Sequence, residues 1–303
     1  MPTPADIAPP AGVPEQMAPG IRRILAPNPS PMTHWGTNTY LVGDRDLAVI
    51  DPGPDLDAHL EAILAAVPAG GSVSHILVTH AHLDHSPLAP RLARETGAPV
   101  LAYGDAGAGR SAVMQGLAGA GLIGGGEGVD AGFAPDRCLT DGETVHGTGW
   151  TLSALWTPGH FGNHLCFACG DSVFSGDLVM GWASSLVSPP DGDLTDFMTS
   201  CQALRARAPR VLYPGHGAPV TDPAARLDWL IGHRRSREAA ILTHLRTGPL
   251  DIPTLSRGIY TDIPAKMMPA AERNVLAHLV DLQGKGVVLA APELSVDAVF
   301  SLA

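Results

Sequence analysis

The stretch Thr79-His80-Ala81-His82-Leu83-Asp84-His85 constrains this chain more than any other part of its sequence. Three imidazoles and a carboxylate packed this closely are costly to desolvate unless a cation shares the site. Imidazole with carboxylate suits zinc and its borderline neighbours. The preceding run His75-Ile76-Leu77-Val78 is apolar and β-rich, so it predicts a buried strand. The cluster then lies in the loop at that strand's carboxyl end, where open α/β sheets place ligands.

A metal site needs contributors from elsewhere, and three segments supply them. Thr157-Pro158-Gly159-His160 ends the strand-like run 150–156, and Ser175-Gly176-Asp177 ends the short strand 172–174. Tyr213-Pro214-Gly215-His216-Gly217 ends the run 210–213. Each sets one ligand type beside small residues that allow close backbone approach.

This pattern resembles the metallo-β-lactamase superfamily, whose H-x-H-x-D-H motif is followed by a His, an Asp and a last His. Here those positions are His80, His82, Asp84, His85, His160, Asp177 and His216. The resemblance implies one metal held by His80, His82 and His160. It implies a second held by Asp84, His85 and His216, with Asp177 bridging. Two zinc ions are the expected cofactors, iron or manganese the alternatives, with a shared hydroxide as nucleophile. Asp84 and Asp177 would also accept or relay protons. In the family the residue at Asp51 supports the metal loop, while a plain turn residue is the competing reading. His34, His59, His75, His146, His244 and His278 show no partners in the sequence and are read as ordinary core or surface residues.

Segments 39–42 and 47–50 alternate as a hairpin, and 56–67 and 88–96 have helical periodicity stopped by Pro68 and Gly97. Strands alternating with helices predict an α/β protein, and the resemblance implies the metallo-β-lactamase αββα sandwich. The Gly- and Ala-rich stretch 104–132 breaks the rhythm, and a helix at 113–122 is read as a cover over the site. Trp182, Ser184, Ser185 and His164 are candidate substrate contacts. Beyond His216, helices are expected at 223–246, 253–260 and 270–283, then a strand at 287–290. That order resembles a small winged helix, as in the lactamase-beta-like-2 group of the superfamily. Segments 35–40 and 233–238 add to this resemblance. The expected domains are a flexible arm at 1–20, the hydrolase at 21–230 and the winged helix at 231–303.

With 303 residues, 45% hydrophobic and 16% charged, the composition is that of a soluble enzyme. A net charge of −11 argues against broad binding to a polyanion. The first twenty residues hold six prolines and neither a basic nor an apolar signal region, hence the arm. No apolar run is long enough to span a membrane. The four cysteines make no disulfide framework, and Cys166 and Cys169 fall on opposite faces of one strand. A reducing cytoplasm is the expected compartment, and a homodimer is left open.

The expectation is a dinuclear metal-dependent hydrolase acting on a small acyl substrate: an ester, thioester, lactone or β-lactam. One alternative is an endoribonuclease on single-stranded RNA, which calls for a basic groove and exposed aromatics. The run His233-Arg234-Arg235-Ser236-Arg237 is the one basic candidate, and aromatics make up only 5%. Another is an iron-dependent redox enzyme on the same fold. Its diiron relatives carry Glu where this chain has His82, and persulfide dioxygenases use fewer ligands. Glutathione thioester hydrolases share the metal residues, but their third consecutive His is Ala81 here. A non-catalytic module would have lost ligands.

Overall fold

The computed structural model describes residues 7–125 and 128–303; the first six residues of the expected arm, and Gly126 and Glu127, lie outside these. Seven strands form the first sheet in chain order: β1 (Glu15–Ala18), β2 (Ile21–Leu25), β3 (Asn38–Val42), β4 (Asp46–Ile50), β5 (Ser72–Leu77), β6 (Val100–Ala102) and β7 (Arg137–Cys138). Pairing is antiparallel from β1 to β4 and parallel from β4 to β7. The second sheet runs β8 (Thr144–Gly147), β9 (Trp150–Trp156), β10 (Leu165–Cys169), β11 (Ser172–Gly176) and β12 (Val211–Pro214), with β11 and β12 parallel.

Alternation along the strands builds three apolar layers. Tyr40, Ile50, Leu77, Phe167 and Phe174 face inward between the sheets. Leu41, Val49 and Ile76 point the other way, onto Leu60 and Ile63 of α1 (Asp57–Ala65) and Leu92 of α2 (Ala89–Thr96). Cys166 and Ala168 of β10 meet Phe197 and Leu204 of α4 (Leu194–Arg207) and Leu227 and Leu230 of α5 (Pro223–Leu245). Each fully buried side chain of this size contributes about 1.5–3 kcal/mol. This is the expected αββα sandwich. Cys166 and Cys169 fall on opposite faces of β10, as anticipated.

The expected arm needs correcting. Residues 15–18 are a strand on the sheet edge, and Gly12 N donates to Leu25 O. The buried Arg23 guanidinium needs a counter-charge, and Glu15 supplies it at 2.5 Å.

The insertion holds α3 (Ala112–Gly119), whose first turn is capped by the Ser111 hydroxyl accepting from Met114 N. Its Met114 and Leu117 pack with Ile241, Leu255 and Leu279 of the C-terminal unit, so the helix is a brace rather than a cover. Further along the insertion, Leu83 N donates to Gly128 O, and Ser86 Oγ to Asp130, which steadies the loop carrying the histidine cluster.

The C-terminal unit comprises α6 (Ile252–Ile259), α7 (Met268–Gly284) and a small sheet ordered β13 (Leu250–Asp251), β15 (Val299–Leu302), β14 (Val288–Ala291). The seam expected at residue 230 falls inside α5. That helix buries Leu227 and Leu230 against the sandwich and Ile241 and Leu245 in the C-terminal core. Among the described residues, no helix is long and apolar enough to cross a membrane.

His278 on α7 is buried, and neither ring nitrogen has a hydrogen-bond partner. Burial first, then Arg234 and other nearby cations, push its pKa down to about 3. The folded chain therefore keeps it neutral, whereas an unfolded chain protonates it near the ordinary value of 6.5. Its contribution to stability is present above pH 6.5 and is lost as pH falls towards 3. Urea midpoints of metal-stripped protein at pH 7 and pH 5 should show a smaller acid loss in His278→Leu than in wild type. Equal losses would sink this assignment.

Candidate metal centre

The carboxyl ends of β4, β5, β9, β11 and β12 each deliver a side chain to one cleft where the two sheets meet. β4 ends in Asp51 and β5 leads to His80, His82, Asp84 and His85. His160 follows β9, Asp177 follows β11, and His216 follows β12. All of these are at least nine-tenths buried.

Two glycines make the convergence possible. A Cβ on Gly215 would lie 2.4 Å from Asp177 Oδ1 and 2.7 Å from His85 Cε1, so any side chain there would fill the site. Gly159, at φ +141°, brings the chain against the backbone of Phe197, where a Cβ would sit at 2.3 Å.

Ligand nitrogens and oxygens form groups lying within 4.8 Å of one another: His80, His82 and His160; His80, His85 and Asp177; Asp84, His85 and His216. His82 Nδ1 sits 2.9 Å from His80 Nε2 and 3.1 Å from His160 Nε2. His216 Nε2 sits 3.1 Å from Asp84 Oδ2 and 3.2 Å from Asp177 Oδ2.

The outer nitrogens fix the tautomers. His160 Nδ1 donates to Leu186 O at 2.7 Å, and His216 Nδ1 to Gly36 O at 3.1 Å. Asp51 accepts from Thr79 N, Thr79 Oγ1 and His85 Nδ1 at 2.7–2.9 Å. Because Thr79 Oγ1 donates to Asp51, it can accept from His80 Nδ1 at 3.0 Å. Each of these four rings thus commits Nδ1 to an outer partner and turns Nε2 inward. Asp51 thus bonds His85 and the loop that carries the histidine cluster, which is more than closing a turn.

Electrostatics separate the two halves. Burial, aided by neighbouring imidazoles, pushes His82 down to about 3 and holds His80 well below its ordinary value; His160 is lowered too. These rings are neutral, the state in which an imidazole can bind a metal. In the other half, burial alone would lower His85, but Asp84, Asp51 and Asp177 together raise it to about 9. Asp177 and Asp84 likewise outweigh burial at His216. The carboxylates hold protons where a cation would serve. Asp84 Oδ1 and Asp177 Oδ1 are buried and have no hydrogen-bond partner, which fits ligand atoms.

The candidate substrate contacts divide. Trp182, 37% exposed, stacks on His34 at 4.7 Å and walls a cavity that Ser184 also lines. Ser185 needs correcting: its buried hydroxyl donates to Leu178 O and cannot reach a substrate. His164 does too. It is fully buried, bonds Thr157 Oγ1, and accepts from Asp177 N at 3.2 Å, so it holds the Asp177 turn.

Several supports have no sequence signature. His59 is not an unconnected histidine: it bonds Thr39 Oγ1 at 2.8 Å, which itself donates to Asp51 O. Asn38 Nδ2 donates to Pro214 O and Gly217 O, pinning the His216 turn. Arg234 is buried, donates to Ser185 O and to Asn274 Oδ1, and lies over Phe197. Arg226 donates to Met180 O and Ala183 O. Together they clamp the loop whose Leu186 carbonyl orients His160.

Comparison with known proteins agrees with this geometry. Residues 32–216 match the metallo-beta-lactamase superfamily, and 253–293 match the beta-lactamase associated winged helix domain. Lactamase-like protein adaB of Aspergillus niger is 31% identical over 274 residues, covering 84% of this chain and 78% of that protein. Beta-lactamase-like protein 2 homolog of Drosophila melanogaster is 29% identical, covering 87% and 88%. An atrochrysone carboxyl ACP thioesterase of Aspergillus fumigatus is 29% identical, covering 76% and 66%. The crystal structure of a metallo-beta-lactamase family protein from Thermus thermophilus superposes with TM-score 0.75 at 26% identity, covering 95% and 100%. With its ligand types gathered at one sheet edge and a winged helix behind them, this chain belongs to the metallo-β-lactamase superfamily.

Proposed function

We propose that the protein is a dinuclear zinc hydrolase of small acyl compounds, with thioesters first among them. The observation that carries this is the pair of facing buried groups, His80, His82 and His160 against Asp84, His85 and His216, with Asp177 between them. Inward-facing Nε2 atoms and unpartnered carboxylate oxygens are what two divalent cations require. When bound, such a pair supplies Lewis acidity and an activated water.

The chain's own residues do the rest. Asp51 and the carbonyls of Leu186 and Gly36 hold the rings in register, and Asp84 would accept or relay a proton. Trp182 and Ser184 border the entry for substrate. The thioesterase among the relatives favours an acyl carbon as the centre attacked. The ribonuclease alternative loses ground, because Arg234 is buried and Arg237 lies over Tyr260 while donating to Ile259 O. A reducing cytoplasm stays the proposed compartment.

Elemental analysis after exhaustive dialysis should find close to two transition-metal ions per chain. A value near zero, with no uptake of added zinc, iron or manganese, ends the dinuclear reading. A panel of esters, thioesters, lactones, β-lactams and single-stranded RNA, with Asp84→Ala as control, then tests the bond. RNA cleavage lost in that variant, without acyl turnover, puts the nuclease first.

A further inference from the structure

The clamped loop 180–186 and the start of α7 enclose a cleft that none of the candidate metal ligands lines. One cavity there, about 240 Å³, is walled by Met32, Met180, Trp182, Tyr260, Ile263 and Met267. An adjoining cavity of about 430 Å³ shares Pro31, Met32, Leu186, Met267 and Ala270 with the first. Shared walls make one groove, on the scale of small-molecule sites. Leu186 ties this groove to the metals, because its carbonyl orients His160. Trp182 ties it from the other side, lying against Gly217 beside His216.

The groove is not uniformly apolar. Lys266 and Arg273 line only the second cavity. Neither makes an ion pair among the described residues, and Arg273 reaches only Pro189 O, at 3.5 Å. A half-buried, unpaired guanidinium beside apolar walls is a standing desolvation cost that an anion would offset.

We propose that this groove is a two-part substrate site, taking an apolar acyl chain against Met180, Trp182 and Met267 and an oxyanion at Lys266 and Arg273. The substrate class is therefore an amphipathic acyl compound carrying a carboxylate or phosphate remote from the scissile carbonyl. This rests on the acyl-hydrolase reading above. The winged-helix unit provides the selecting wall, since Tyr260, Ile263, Lys266, Met267 and Arg273 all belong to it.

The test uses the metal-loaded full chain and three thioesters of one chain length. Decanoyl-coenzyme A carries phosphates on the leaving group, the mono-N-acetylcysteamine thioester of sebacic acid carries a carboxylate on the acyl end, and decanoyl-N-acetylcysteamine carries neither. At least one anionic thioester should have a KM about tenfold below the neutral one, and which one identifies the anion's source. Lys266→Glu with Arg273→Glu should raise that KM about tenfold at unchanged kcat and leave the neutral thioester within about twofold. Met267→Asp should raise all three. Calorimetric binding of decyl phosphate against decanol gives a readout that needs no turnover. If no thioester is hydrolysed yet the double variant still loses decyl phosphate selectively, the groove stands and the thioesterase reading falls. If the double variant shifts charged and neutral compounds alike, the proposal is overturned.

Discussion

Asp177→Ala should lower kcat/KM about a hundredfold or more and drop bound metal to roughly one ion per chain or less. Asp177 faces both halves of the centre: its carboxylate lies 3.2 Å from His216 Nε2, 3.6 Å from His85 Nε2 and 3.8 Å from His160 Nε2. Without it, two cations would share a buried space with Asp84, which lies beside His85 and His216 only, as the one carboxylate left in the proposed ligand set. Asp177→Asn keeps the shape and removes the charge, so it should lose metal nearly as badly. Trp182→Ala removes only a cavity wall and should cost at least tenfold less. Metal content and activity measured on the same preparations decide it. Wild-type activity with full metal in Asp177→Ala would remove this residue from the centre.

The second large effect is expected far from the chemistry. Arg234→Ala should destabilise the chain by about 2–4 kcal/mol in urea unfolding and weaken metal retention about tenfold. The side chain is buried, and its removal leaves Ser185 O and Asn274 Oδ1 without their charged donor. Asn274 Oδ1 also receives Val187 N, so residues 185–187 lose their hold on both sides of Leu186. His160 would then swing on a looser carbonyl. Lysine cannot serve two acceptors with one planar fork, so Arg234→Lys should recover less than half of the loss. An unchanged urea midpoint in Arg234→Ala would falsify the clamp.

The candidate metal residues are legible in the sequence because metal chemistry would dictate residue types, and each sits where a strand runs out. His80, His82, Asp84, His85, His160, Asp177 and His216 all converge as expected. The loops before β10 and after Asp177 are not legible in the same way. Irregular backbone has no period to say which side chain turns inward, so Ser185 and His164 look available in the sequence and are not. His59 gives no signal because its partner Thr39 lies twenty residues away on another element. Helix α4 is also hard to see. Leu194, Phe197, Cys201 and Leu204 have helical spacing behind the Asp193 cap, but Thr and Ser between them dilute the pattern. Arg234 stands within a basic run, and composition alone cannot distinguish a solvated cation from a buried one.

The long helix α5 has a consequence for how such chains can be rearranged. Its first half is part of the sandwich wall and its second half is part of the winged-helix core. A crossover that exchanges C-terminal units between relatives therefore has no neutral joint at residue 230. It must fall before Pro223, in the turn that follows Val220, and carry Arg226 and Arg234 along with the incoming selectivity wall. Transplanted that way, a new groove would arrive with its own grip on the loop that orients His160, so recognition and catalysis would be inherited as one piece.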